Sequence, residues 1–216
     1  AISLMVFVLL NFAPGNPGAR QIGSEGGQQA NTGEQRESYR IFKEQFNLDK
    51  PILFNTRYGL GRDDVEGTLR DILQLDGEVG MGRRMEAYGQ IEDWGWYAIP
   101  GLVEILSDTA APYGMRALAS DRLVSSAQRR LINPTNRRPN AEERAQNKEA
   151  AKHNLLVAGW TFSADSAPER AAEVTGLWTQ WKSDQGGAWD YSAAEKARIF
   201  LTDTRFAKYW VNLARL

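Results

Sequence analysis

Ala98-Ile99-Pro100-Gly101-Leu102-Val103-Glu104-Ile105-Leu106-Ser107-Asp108 decides the fold class. Ile99, Leu102, Val103 and Leu106 recur at three- and four-residue steps, the period of an apolar helix face. A proline near the start and a Ser-Asp close bracket one short helix. The same period continues outward on both sides. Upstream, residues 63–77 carry Val65, Leu69, Ile72, Leu73 and Leu75, with Asp63 or Asp64 as cap and Gly77 as stop, and a second helix is predicted over 81–90. Residues 94–106 read as a third helix. A fourth is predicted over 112–132, with Met115, Leu118, Ala119, Leu123, Val124, Ala127 and Leu131 on one stripe. Further helices are predicted over 141–159, 168–183 and 192–203, then a last one to Leu216. Strand-type alternation of useful length is absent, so the predicted fold class is all-α. Leu69, Leu73, Met85, Ile99, Leu102, Ile105, Leu118, Leu123, Leu156, Trp178 and Ile199 are the expected core.

The ends differ from this body. Ala1-Ile2-Ser3-Leu4-Met5-Val6-Phe7-Val8-Leu9-Leu10-Asn11-Phe12 is uncharged and almost wholly apolar. It is shorter than the roughly 20 residues a membrane helix needs and lacks the basic start of a signal peptide. The end of a truncated transmembrane helix, a core helix and a terminal strand all fit it. Residues 13–35, with Pro14, Pro17 and a run of glycines among Ser, Gln and Asn, read as a linker. From Glu34 the pattern turns helical through Tyr39, Phe42 and Phe46, and Pro51 stops it.

Composition narrows the function. Of 216 residues 42% are apolar and 25% charged, as in ordinary globular chains, and the net charge of −1 gives no field to attract nucleic acid. The absence of cysteine excludes disulfides, thiolate metal sites and thiol catalysis. The single His153 lies in a polar helical stretch with no second histidine, a poor start for zinc, and reads as an exposed or capping side chain. Ser125, Ser126 and Ser163 lack a nucleophile-elbow context. Asp63, Asp64 and Glu66 read as helix-start acids, and Asp76-Gly77-Glu78 lacks the rest of a calcium loop. The Gly23–Gly33 run has no Gly-Lys-Ser/Thr, so a phosphate loop is not indicated. No residues are assigned to catalysis, to a cofactor or to a metal, and the expectation is a non-enzyme. Seven tryptophans remain to be explained. Trp94, Trp96 and Tyr97 form one group; Trp178 and Trp181, three apart on one helix face, form another, with Trp189 and Tyr191 nearby. Aromatics of this size fill cores and anchor helices; alternatively Trp94, Trp96, Tyr97, Trp178 and Trp181 form a surface for a partner protein or peptide.

Two resemblances add to this. Residues 83–91 with 98–108 resemble one HEAT-type unit, which implies irregular stacked helical hairpins rather than a long solenoid. Separately, Phe7–Phe12 running into Ala13-Pro14-Gly15-Asn16-Pro17-Gly18, then Phe42-Lys43-Glu44-Gln45-Phe46-Asn47-Leu48-Asp49-Lys50-Pro51, is similar to the permease subunits of dipeptide, oligopeptide and nickel ABC importers. Those permeases carry P-G-[DN]-P after the first membrane helix and an L-D-[KR]-P phrase closing a short helix. The phrase that follows almost at once in the family resembles Phe206-Ala207-Lys208-Tyr209-Trp210-Val211-Asn212-Leu213-Ala214-Arg215-Leu216 here, at the far end of the chain.

The resemblance implies five regions. Residues 1–12 would end a transmembrane helix, 13–35 be a linker and 36–57 an amphipathic helix with its exit. Residues 58–204 would be an inserted helical domain, and 205–216 a helix leading to the next membrane region. It also implies a place on the extracytoplasmic side of a bacterial inner membrane, in uptake of peptides or similar solutes. The partners would be the rest of the permease, a second permease subunit, ATPase subunits and the solute-binding protein. The family's pore helices and its E-A-A coupling loop have no counterpart in these residues, so neither ATP hydrolysis nor conduction is expected of them. A stand-alone helical-repeat interaction module is the alternative reading; an enzyme of unknown reaction is a more distant one.

Overall fold

The computed structural model describes residues 43, 47–132 and 138–213; among them the secondary structure is helix, turn and coil, with no strand. The all-α class is therefore correct. The expected membrane-helix end at 1–12, the linker at 13–35 and most of the helix from Glu34 lie outside the described residues. Among those described, no helix is long and apolar enough to cross a membrane. The chain divides into two compact units.

The larger unit is Thr56–Ala194. It contains α1 (Arg62–Leu73), α2 (Met81–Trp94), a 3-10 turn (Gly95–Ala98), α3 (Ile99–Ser107), α4 (Tyr113–Ala127), α5 (Ala141–Ala158) and α6 (Pro168–Asp184). α3 is the hub, packed against α1, α4 and α6. Six of its nine residues are buried, because apolar side chains occupy nearly its whole circumference. Its partners contribute Val65, Leu69 and Ile72 from α1, Met115 and Leu123 from α4, and Val174 and Trp178 from α6, all fully buried. Gly101 lets α1 and α3 approach: a Cβ there would stand 2.9 Å from Val65 Cγ2 and 3.3 Å from the Gly61 carbonyl oxygen. That contact explains a glycine inside a helix, where it costs ~1 kcal/mol relative to alanine.

Several boundaries differ from the sequence reading, each for a local reason. α1 begins earlier: the Gly61 N–H donates to Asp64 Oδ2 at 2.9 Å, so Asp64 reaches back from the first turn instead of standing at the cap. It stops at Leu73 because Gln74 takes a left-handed conformation, φ 57°, whose N–H closes on Arg70 and Asp71. The helix expected over 94–106 is divided: α2 runs on to Trp94, and Gly95 at φ 46° redirects the chain into the 3-10 turn. α4 ends at Ala127, not Ile132, and Leu131 and Ile132 are each 40% exposed. α5 begins as its sequence suggests, Asn140 and Glu143 exchanging side-chain to backbone bonds at 2.8 and 2.9 Å.

Of the expected core, Leu69, Ile99, Leu102, Ile105, Leu123, Trp178 and Ile199 are buried, while Leu73 and Leu118 are half-buried at its edge. Met85 and Leu156 are corrections: both are exposed. α2 turns Ala87 and Ile91 inward and α5 turns Ala150 and Val157 inward. At about 100° per residue, Met85 lies opposite Ala87 and Leu156 falls off the Val157 line.

The described residues of the second unit are 43, 47–55 and 195–213. They include the body of α7 (Ala193–Thr202) and α8 (Arg205–Leu213). Ile199 is buried, and Phe54 stacks on Phe200 with ring centroids 4.8 Å apart.

Candidate functional site

In the larger unit the two tryptophan groups, some eighty positions apart in sequence, meet. Trp96, from the 3-10 turn, stacks on Trp189 at 4.7 Å and meets the Trp181 edge at 6.0 Å. Trp181 packs edge-on to Trp178 at 5.5 Å, and Trp178 edge-on to Trp160 at 5.1 Å. Each arrangement is one that aromatic quadrupoles favour. Two indoles donate into the framework: Trp178 Nε1–H to the Trp160 carbonyl at 2.8 Å and Trp189 Nε1–H to the Trp96 carbonyl at 2.9 Å. The result is a ladder graded from inside to outside. Trp178 is fully buried, Trp160, Trp181 and Trp189 are partly buried, and Trp96 is 37% exposed.

Of the five residues singled out from sequence, Trp96, Trp178 and Trp181 join this ladder. Trp94 packs against the core as a partly buried side chain, and Tyr97 faces Tyr191 at 6.1 Å. Trp189, which the sequence places beside the second group, and Trp160, which lies outside both groups, complete the ladder. Trp160 lies two residues past the end of α5, a position where periodicity carries no information.

His153 sits at the ladder's flank, 6.2 Å from Trp181 ring to ring. Its Nε2–H donates at 2.9 Å to the carbonyl of Ala127, the last residue of α4. It is a capping side chain, satisfying one of that helix's orphan carbonyls. Arginines do the same elsewhere: Arg84 donates to the Ile72 carbonyl at 2.9 Å and Arg116 to that of Leu106 at 2.9 Å. Acidic groups are likewise engaged in structure. Arg62 meets Asp108 at 2.5 Å, and Arg70 meets Asp76 at 2.6 Å and Glu66 at 3.4 Å. The hydrogen bond from Arg62, then that from the Ala110 N–H, holds the Asp108 carboxyl below its ordinary range; Arg70 lowers Asp76 in the same way. Among the described residues no three His, Cys, Asp or Glu side chains gather as a metal site.

The smaller unit holds a second constellation, a clasp between residues 48–55 and 200–206. The first four N–H groups of α8 lack partners within their own helix. Arg205 N–H donates to the Pro51 carbonyl at 2.9 Å and Phe206 N–H to that of Ile52 at 3.1 Å. Thr204, fully buried, covers Ala207 N–H with its hydroxyl at 3.1 Å and Lys208 N–H with its carbonyl at 3.1 Å. The Arg205 guanidinium reaches the carbonyls of Leu48 and Lys50. Asn55, also fully buried, donates through Nδ2 to Asp203 Oδ2 at 2.9 Å and to its carbonyl at 3.1 Å. The Asn55 N–H serves the Phe200 carbonyl in the last turn of α7 at 3.0 Å, and Lys50 pairs with Asp203. Leu48-Asp49-Lys50-Pro51 is thus joined to the helix that carries Tyr209 and Trp210.

Comparison with protein-family models, with curated proteins and with solved structures finds no match to this chain.

Proposed function

We propose that the chain is the extracytoplasmic part of a permease subunit of a peptide/nickel-class ABC importer, interrupted by an inserted helical domain. One observation carries this reading. The two halves of a sequence phrase that is nearly continuous in that family lie about 150 residues apart here, yet the first half supplies the carbonyls that cap the helix of the second. An insertion that leaves its host intact has this property, since its two ends must return to neighbouring points. On this reading the inserted domain, an irregular HEAT-like stack of hairpins, is non-catalytic. It serves as a contact surface for the solute-binding protein or for the second permease subunit, with Trp96 and Tyr97 at its outer rim. Residues 1–12 end a transmembrane helix, and ATPase subunits join through other parts of the permease.

The reading frame around the chain tests this. An apolar span continuing upstream of Ala1, and further apolar spans with an E-A-A loop downstream of Leu216, are expected; polar flanks on both sides would exclude the permease. The second reading, a helical interaction module standing alone, draws on the self-sufficient core of Thr56–Ala194 around α3.

A further inference from the structure

The connection leaving α4 is held by α5 in an unusual way. Asn154 accepts the Arg129 N–H on Oδ1 at 2.7 Å and donates from Nδ2 to the Arg129 carbonyl at 3.0 Å. Asn147 repeats the grip on Ile132, accepting its N–H at 2.7 Å and donating to its carbonyl at 2.9 Å. His153, on the same side of α5, holds the Ala127 carbonyl. The gripped chain runs antiparallel to the helix and enters neither helix nor strand. Gln128 opens it at φ −62°, ψ 137°, close to polyproline II values.

The two pitches match. Asn147 and Asn154 are two helical turns apart, about 10.5 Å along α5. Residues 129 and 132, three apart, both present their N–H and carbonyl groups to α5, and three residues is the repeat of a polyproline II chain, which advances about 9.3 Å per turn. Both arms of each amide are used on main-chain atoms alone, while Leu131 and Ile132 remain 40% exposed. Such a grip reads backbone and ignores side chains. It demands an N–H at two positions three apart and tolerates proline between them.

We propose that the Asn147/Asn154 face of α5 is a binding site for a free oligopeptide in polyproline II conformation, occupied in this structure by the chain's own residues 128–132. The tethered segment acts as a competitor at high effective concentration, so the apparent affinity for an added peptide is lowered by the fraction of chains that are self-occupied. Identifying that peptide with an imported solute rests on the permease reading. The binding itself does not, so peptide binding by a chain with polar flanks would overturn only the identification.

The probe is a fluorescein-labelled, end-blocked Gln-Arg-Arg-Leu-Ile-Asn peptide, titrated with the full chain and read by anisotropy. Pairing Arg129→Pro with Ile132→Pro removes both N–H donors of the internal segment while keeping its extended backbone, since proline fixes φ near the required value. That variant is expected to bind the probe about tenfold tighter, or more, than the unaltered chain. Asn147→Ala with Asn154→Ala is expected to abolish binding. A probe N-methylated at the residues matching Arg129 and Ile132 should fail, whereas an alanine replacing its Leu131 equivalent should change affinity by about twofold at most. Equal affinity in the proline variant and the unaltered chain overturns the proposal, as does full binding by the N-methylated probe, or no binding to a proline variant that melts normally. Should the double proline variant fail to fold by circular dichroism, Ile132→Pro alone carries the same two outcomes.

Discussion

Trp178→Ala is expected to be the most damaging single substitution in the larger unit. The side chain is fully buried on α6, packed edge-on against both Trp160 and Trp181, and its Nε1–H holds the Trp160 carbonyl. Truncating a buried Trp costs ~3–5 kcal/mol, combining lost transfer energy with the cavity left behind. Two aromatic contacts and an orphaned carbonyl place this site near the upper end, at ~4–5 kcal/mol. Against a total stability of ~5–15 kcal/mol for a domain, that is a large share. The melting temperature should fall by roughly 10–20 °C. Urea denaturation followed by far-ultraviolet circular dichroism measures it without relying on the indole signal being removed. Trp96→Ala is the internal control: a third exposed, it should cost ~1–2 kcal/mol, chiefly the stacking on Trp189. A loss under ~2 kcal/mol for Trp178→Ala, or equal losses at both sites, would refute the graded ladder as a structural element.

Gly101→Ala should destabilise by ~1–3 kcal/mol despite the better helix former, because its methyl meets Val65 and the Gly61 carbonyl; Gly176→Ala on α6, where nothing lies within 4 Å, should stabilise by ~0.4–1 kcal/mol in the same melt. The Asp108 carboxyl is held low by Arg62, so it contributes stability that is present above its unfolded value, ~4, and is lost as pH falls from there toward the lower folded value; Asp108→Asn should flatten the acid limb of a stability-versus-pH curve, and an unchanged limb contradicts this. Asn55→Ala, by removing both side-chain bonds to Asp203 while keeping the main-chain bond to Phe200, should speed hydrogen exchange at the Arg205 and Phe206 amides; unchanged protection there would mean the clasp does not depend on the Asn55 side chain.

The helices and most of the core were legible in the sequence because a buried face repeats with the helical period, as at Leu69, Ile99, Leu102 and Ile105. The failures have separate causes. Met85 and Leu156 are apolar residues on helices where few inward positions define the stripe, so either face could have been chosen. The end of α4 was missed because Leu131 extends the apolar period past Ala127, whereas the chain is turned aside by amides 15 and 25 positions downstream in sequence. Long-range side-chain to backbone bonds leave no periodic trace. The tryptophans were visible as two groups, but nothing in their spacing says that Trp96 and Trp181 touch. The joining of the two segments of the clasp through Pro51, Ile52 and Arg205 is likewise a long-range contact that neither segment's own spacing announces.

The permease reading stands or falls on membrane association of the chain with its native flanks. The full reading frame, expressed in a bacterial host together with the ATPase subunits that the permease reading requires, is separated into soluble and membrane fractions, and the membranes are washed with alkaline carbonate. The expected result is a protein that stays in the washed membranes and, after detergent extraction, co-purifies with the ATPase subunits. A soluble protein released without detergent and free of any ATPase would contradict the permease and leave the independent helical module.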